Sequence, residues 1–203
     1  LLVNEALWSG GMAVLLQCYS VRGLDVVAGM NISNTIMNLF NIAFIALGSA
    51  VSIIIGRLLG AGKMEEARDT DRKLIAFSVV LCIFIGAAVI VMAPLFPGFY
   101  KTEQEVKDYA THFIRIAAIF LPQSAFLHAS YFTLRSGGKT IVTFMFDSGF
   151  MWVVTIPLAF VLSRFTALPI EVIFASCQGI EILKCVVGFV LLKKGVWLQN
   201  IVE

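Results

Sequence analysis

The sequence contains few charged residues. Only 14% of its 203 side chains are Asp, Glu, Lys or Arg, whereas about 25% is usual for soluble domains. Hydrophobic residues make up 59% of the chain, and the mean hydropathy is +0.91. Because a soluble fold of this size could not bury so much apolar surface, we expect the chain to lie in a lipid bilayer.

Several kinds of chemical motif are also missing. The net charge of +2 is too small to indicate a nucleic-acid partner. The four cysteines lie in apolar runs without a C-x-x-C pair, which predicts inert thiols and no metal site. No H-E-x-x-H or G-x-S-x-G motif occurs, and Thr133 replaces the first glycine that a Walker A loop ending at Gly138-Lys139-Thr140 requires. We therefore expect no enzyme, no ATPase and no cofactor, so that an ion gradient would drive any transport.

Six apolar segments are long enough to cross a bilayer, which requires about 20 residues. They cover residues 1–20, 27–56, 74–93, 107–134, 141–162 and 169–192. Their continuous hydrophobicity argues against barrel strands, which would alternate in polarity. We predict an all-α integral membrane fold, a single bundle of six transmembrane helices over residues 1–203. The opening residues include no Met and no basic flank, so we expect a fragment of a longer protein.

Basic residues concentrate on one side of the predicted bundle. The connections after the second, fourth and sixth segments hold nine Lys and Arg, against four in the opposite connections. By the positive-inside rule, the side with more basic residues is cytoplasmic. We expect a multi-pass protein of the plasma (cell inner) membrane with a cytoplasmic C-terminus. The charged stretch 64–73 is predicted to form a short surface helix.

Ionisable side chains inside apolar segments are costly, and each requires a partner or a function. Glu5 is either a carboxyl that binds a proton or small cation, or one exposed at the membrane interface. Glu181 and Lys184 are three residues apart on one helical face, which predicts a structural ion pair. Asp147 is expected to face the bundle interior or to pair with a neighbour such as Lys139.

The second segment carries a ridge of asparagines. They recur at intervals of 3, 4 and 3 residues and so share one helical face: Asn31, Asn34, Asn38 and Asn41. Carboxamides in lipid are costly unless they line a cavity or bond a neighbouring helix. The two interpretations are compatible, and we predict that the ridge lines a water-filled cavity.

Two prolines fall inside the predicted helices. Pro122 lies in the fourth segment and Pro157 in the fifth. Each lacks a backbone donor and can bend its helix. In transporters such bends often serve gating, so both prolines are candidate hinges, with a static kink as the alternative.

Five stretches carry a resemblance to a known family. They are Asn4-Glu5-Ala6-Leu7-Trp8, the run from Gly48 to Ala67, Leu134-Arg135-Ser136-Gly137-Gly138-Lys139-Thr140, Asp147 with Trp152 and Ile156-Pro157-Leu158-Ala159, and Lys184 with the tail Trp197-Leu198-Gln199-Asn200-Ile201. In this order they resemble the start of the seventh helix, the end of the eighth helix with its loop, the loop after the tenth helix, the eleventh helix, and the twelfth helix with the C-terminus of MATE transporters. MATE denotes multidrug and toxic compound extrusion, and the resemblance extends over the whole chain.

The resemblance implies one lobe of a twelve-helix MATE-type transporter. This chain would be the C-terminal six-helix lobe, with the N-terminal lobe absent from the sequence. Such a protein is a secondary active multidrug antiporter that exports cationic or amphipathic compounds in exchange for Na⁺ or H⁺. Its implied partners are the lipid bilayer, the N-terminal lobe and small cationic drug-like substrates.

The resemblance also bears on individual residues. Glu5 matches an acidic position of the family's seventh helix that is implicated in cation coupling or substrate binding. An aspartate that some members carry in the tenth helix falls near Ser124, where this chain has no acid. A coupling site built on that aspartate is therefore not expected here.

Two other functions remain open from the sequence. A flippase for lipid-linked saccharides on a similar fold would place several basic residues in its cavity, but only Arg115 and Lys184 lie within the predicted helices. A structural bundle without transport activity could self-associate through Gly56-x-x-x-Gly60.

Overall fold

The fold is built from helices. A computed structural model describes residues 2–138 and 140–198, and no strand occurs in these ranges. The α-helices are α1 (Leu2–Ser20), α2 (Leu24–Gly60), α3 (Met64–Met92), α4 (Leu95–Gly98), α5 (Gln104–Ile119), α6 (Leu121–Ser136), α7 (Thr140–Phe144), α8 (Ile156–Phe165), α9 (Ile170–Gly179) and α10 (Ile182–Lys194). Two π-helical turns, Met145–Gly149 and Met151–Thr155, connect α7 to α8. The predicted all-α fold class is confirmed.

The helices include several with the length and apolarity of membrane spans. Four qualify directly: Leu24–Gly60, Met64–Met92, Ile141–Phe165 and Ile170–Lys194. The third span combines most of α7 with the π-helical turns and α8, and the fourth combines α9 with α10. The pair Gln104–Ile119 and Leu121–Ser136 forms a fifth if it is taken as one span bent by 53°. The 19-residue α1 is not among them, because Asn4, Glu5 and Gln17 lower its apolarity. The described ranges thus provide four or five candidate spans where six were predicted.

The charged stretch 64–73 is not the short surface helix that was predicted. It forms the first turns of α3, which begins at Met64 rather than at residue 74. Ala67, Asp71, Ile75 and Ser78 are buried at intervals of three or four residues, so one packed stripe continues through the charged region. Five charged side chains of the stretch are exposed: Glu65, Glu66, Asp69, Arg72 and Lys73. The stretch is therefore helical, as predicted, but it is continuous with the rest of α3.

Both predicted hinge prolines lie where a long helix is interrupted. Phe120 separates α5 from α6, and Pro122 lies in the first turn of α6, where its missing N–H requires no partner. Pro157 lies in the first turn of α8, directly after the π-helical turns. The 53° bend between α5 and α6 has a local cause, since proline interrupts the i→i−4 hydrogen bonds. At Pro157 the helix changes from π- to α-helical hydrogen bonding within one continuous span. The role of both prolines as hinges stays a prediction.

α2 and α6 organise the packing. α2 lies against α5, α6 and α3, while α6 also contacts α3 and α10, and α1 lies against α8 and the π-helical turns. One buried cluster forms at the end that contains Tyr19, Phe113 and Ile173, and another forms at the end that contains Leu59 and Trp197. Outward-facing side chains are also apolar, as expected for a surface in contact with lipid.

Glycines allow the helix axes to approach closely. A Cβ placed on Gly86 of α3 would lie 2.7 Å from the carbonyl oxygen of Ala118 in α5. A Cβ on Gly29 of α2 would lie 2.7 Å from the side chain of Tyr109. Small residues at crossing points are the usual means by which membrane helices pack closely.

We predict that Gly86→Ala destabilises the bundle, because the new methyl group would meet backbone that cannot rotate away. The expected loss in the free energy of unfolding is about 1–3 kcal/mol, measured by thermal unfolding in detergent. Gly56→Ala is the matched control, since nothing lies within 4 Å of a Cβ there. An equal loss in both variants would show that helix crossing at Gly86 is not tight.

Candidate functional site

A cleft of about 680 Å³ lies between α1, α2, α6, the π-helical turns and α10. We call it the central cleft. Its apolar wall includes aromatic and aliphatic side chains, among them Trp8, Met12, Ile42, Ile45, Phe132 and Phe146. Its charged wall consists of Glu5, Asp147, Glu181, Arg135 and Lys184. Residues from the two ends of the sequence therefore meet at one site.

A buried polar network joins the start of α1 to the first π-helical turn. The Asn4 side chain is only 5% exposed, and its Nδ2 donates to Asp147 Oδ2 at 3.1 Å. Ser148 Oγ donates to Asn4 Oδ1 at 2.6 Å. One amide thus uses both its donor and its acceptor to hold the turn that carries Asp147.

Trp152 extends the contact between α1 and the π-helical turns, which we call the α1 seam. Its indole Nε1 donates to the carbonyl oxygen of Leu7 at 3.0 Å. Gly11 lies so close to the second π-helical turn that a Cβ would be 2.3 Å from Met151 Sδ. The π-helical turns are therefore anchored to α1 at three successive levels, and they set the position of Asp147 relative to Glu5.

Glu5 lies one residue after this anchor and lines the central cleft. Its carboxylate is exposed, and it has no hydrogen bond or ion pair with any described residue. Asp147, by contrast, is half-buried and held by Asn4. Lys139, the other partner considered for Asp147, lies outside the described residues. The cleft thus contains one positioned carboxylate and one that is free to bind a ligand.

Tyr131 of α6 lies among the charged groups of the cleft. It lines the cleft together with Arg135, Asp147 and Glu5. Arg135 belongs to the same helix, one turn further on, and also lines the cleft. The acidic and basic side chains therefore share one space rather than occupying separate pockets.

Glu181 and Lys184 form the ion pair that their spacing predicts. Lys184 Nζ lies 3.2 Å from Glu181 Oε1, with little of either side chain exposed. The ammonium group also lies 5.4 Å from the ring centre of Phe150, which is within cation–π range. Because its charge is already neutralised, Lys184 contributes little attraction for an anion in the cleft.

The asparagine ridge is divided between two environments. Asn38 and Asn41 line the central cleft, and Asn41 Nδ2 donates to Asn38 Oδ1 at 3.4 Å. Asn31 and Asn34 are exposed and are not part of the described cleft wall. The described cleft wall begins about one helical turn further along α2, and the lining role of Asn31 and Asn34 stays a prediction.

His128 also lines the cleft: its ring stacks on Phe44 at 5.4 Å, and its Nδ1 lies 2.9 Å from the Ser124 carbonyl oxygen. Two residues of the site were not identified from the sequence. Asn4 was noted only as part of a motif, and Tyr131 was not singled out. The signal that could have identified Asn4 was its place in the sequence, since it is a polar residue directly before Glu5 in an apolar segment. No three His, Cys, Asp or Glu side chains come together as metal ligands in the described ranges.

We predict that Asn4→Ala destabilises the protein, because Asp147 loses a donor and Ser148 loses an acceptor inside a buried seam. The expected loss in the free energy of unfolding is about 1–3 kcal/mol. Asn34→Ala, at an exposed position on α2, should change it by no more than about 0.5 kcal/mol. Thermal unfolding of both variants tests this, and equal melting temperatures would refute a structural role for the network.

Comparison with known proteins gives a family match and several relatives with similar names. A model of the MatE family matches residues 1–161. The multidrug resistance protein MdtK of Edwardsiella ictaluri (strain 93-146) is 24% identical over 151 residues, which cover 74% of this chain and 33% of that protein. The probable multidrug resistance protein YoeA of Bacillus subtilis (strain 168) is 24% identical over 175 residues, covering 83% of this chain and 36% of that protein.

A third relative has a similar name. The probable multidrug resistance protein NorM of Bacillus subtilis (strain 168) is 23% identical over 126 residues, covering 61% of this chain and 27% of that protein. The chain spans about a third of the length of these curated relatives. Since the family match covers most of the chain and includes the stretches around Glu5, Gly56 and Arg135, the chain belongs to the MatE family.

Proposed function

We propose that this chain is the C-terminal six-helix lobe of a secondary active multidrug antiporter. In this proposal it exports cationic or amphipathic compounds in exchange for Na⁺ or H⁺. The observation that carries the proposal is the unpaired Glu5 carboxylate, which faces a cleft of about 680 Å³ with aromatic walls. The names of the three relatives support drug export as the physiological activity.

The charge balance of the cleft favours a cationic substrate. Its described wall holds three carboxylates, those of Glu5, Asp147 and Glu181, against the two cations of Arg135 and Lys184. Glu181 and Lys184 neutralise each other at 3.2 Å. A saccharide flippase that binds a pyrophosphate would require the opposite balance, so we rank that function lower.

The shape of the cleft favours an amphipathic substrate. Trp8, Phe132 and Phe146 offer apolar and aromatic surface beside the carboxylates. An aromatic face attracts an organic cation while its ring buries apolar area. One cleft can therefore accept compounds of different shape, provided that each carries a positive charge beside an apolar body.

Competition for Glu5 would couple the two transport directions. A carboxylate that binds H⁺ or Na⁺ no longer attracts an organic cation, so ion and substrate exclude each other. Alternating access then requires a second lobe that closes the cleft from the other side. The proposed hinges are Pro122 in the first turn of α6 and Pro157 in the first turn of α8. We place the protein in the plasma (cell inner) membrane, with the C-terminus in the cytoplasm.

We predict that Glu5→Gln abolishes gradient-driven efflux in the complete protein that contains this chain. The amide keeps the size of the side chain but cannot exchange a proton or bind Na⁺. Efflux of a fluorescent organic cation from proteoliposomes with an imposed ion gradient is the measurement, and Glu5→Asp should restore part of it.

The matched control is Glu65→Gln at the start of α3, where the carboxylate is exposed outside the cleft. This variant should transport at the wild-type rate. If Glu5→Gln also transports at that rate while remaining folded, Glu5 has no part in coupling.

We also predict that water reaches the asparagine ridge inside the cleft. In a background without native cysteines, Asn38→Cys and Asn41→Cys should react rapidly with a water-soluble maleimide. Leu39→Cys is the control, because Leu39 is exposed, as Asn38 is, but lies outside the described cleft wall. Equal labelling at positions 38 and 39 would place the ridge in lipid and contradict the proposed cavity.

A further inference from the structure

We propose that the chain carries a binding site for the headgroup of an anionic phospholipid. The site is a cavity of about 370 Å³ between α3, α6 and α10, which we call the basic cavity. It shares no described lining residue with the central cleft. Its volume falls within the roughly 300–1,000 Å³ range of small-ligand sites. Neither the family assignment nor the transport mechanism proposed above uses this cavity.

Three cations converge on the basic cavity from two helices. Arg68 and Arg72 lie one turn apart on α3, and Lys193 lies in the last turn of α10. The acid in the described wall, Asp71, is 2% exposed and accepts a hydrogen bond from Thr133 Oγ1 at 2.6 Å. The positive charges therefore outnumber the negative one, and the cavity attracts an anion.

Arg68 has a buried donor without an acceptor. Its Nε is inaccessible to solvent and has no hydrogen-bond partner among the described residues. Its Nη2 lies beside the left-handed turn at Gly195, where an added Cβ would be only 2.8 Å away. The guanidinium group is thus held against the end of α10 with a donor unused. An anion in the basic cavity would therefore meet a guanidinium group that is already held in place, which lowers the cost of ordering it on binding.

The other wall of the basic cavity is apolar, which favours a lipid over a free phosphate ion. Ala76, Phe126 and Phe189 line it, and Phe189 is 58% exposed at the surface of the bundle. An acyl chain could lie along this surface, while a free ion would gain nothing from it. Basic pockets between membrane helices at the cytoplasmic side are typical sites for anionic lipid headgroups.

Native mass spectrometry of the complete, delipidated protein tests the proposal. Phosphatidylglycerol should bind more tightly than phosphatidylcholine with the same acyl chains. The Arg68→Gln, Lys193→Gln double variant should lose about tenfold or more of its affinity for phosphatidylglycerol, since each cation near a membrane surface contributes roughly fivefold.

The control for charge removal is the Lys63→Gln, Lys73→Gln double variant. It also removes two cations near the start of α3, but these are exposed and already paired with Glu66 and Asp69. It should bind phosphatidylglycerol with wild-type affinity. An equal loss in both double variants, or no loss in the first, overturns the proposal.

A second variant tests the cavity without changing its charge. Ala76→Trp should fill the basic cavity and reduce lipid binding while all three cations remain, and Ala87→Trp on the same helix should not. Undiminished binding by Ala76→Trp overturns the proposal. Displacement of the lipid by an equal concentration of glycerol 3-phosphate would identify a free-phosphate site instead and would equally overturn it.

Discussion

Hydrocarbon offers no hydrogen-bond partner, and this constraint governs most of the structure. A polar side chain on a membrane helix must bond another part of the protein or face a space that admits water or a ligand. The satisfied groups join helices that are distant in sequence: Asn4 with Asp147, Ser52 with Ser136, Asp71 with Thr133. Two groups without a described partner, the carboxylate of Glu5 and the Nε of Arg68, belong to residues that line the two described cavities.

The same constraint accounts for the position of the irregular backbone. The π-helical turns between α7 and α8 contact α1 and border the central cleft, rather than standing alone in lipid. Trp152 and Asn4 supply hydrogen bonds across this seam. A helix weakened by Pro157 can therefore persist at membrane depth, because neighbouring groups compensate for its lost regularity. The cleft and the break in the helix have one physical origin.

The sequence predicted the class of fold better than the limits of its elements. Long apolar runs identified the helices, since no soluble packing could hide them. The predicted start of α3 was wrong because of the charges in residues 64–73. Hydropathy averages over both faces of a helix, so this stretch was interpreted as a separate surface segment. Only the packing against α6 shows that Ala67 and Asp71 point inward. The π-helical turns could not be predicted either, because they depend on contacts with α1.

By itself, the sequence determined that the chain is helical, that it lies in a membrane and that Glu5 and the ion pair of Glu181 and Lys184 need explanation. These conclusions follow from composition and spacing, which are local properties. Tertiary structure alone decided that Asn38 and Asn41 line the cleft while Asn31 and Asn34 do not. It also decided that Asn4 positions Asp147 and that Arg68 and Lys193 line one cavity. Such outcomes depend on which helices cross and at which level. The periodicity of one helix shows which residues share a face, but it contains no information on the position of the neighbouring helix.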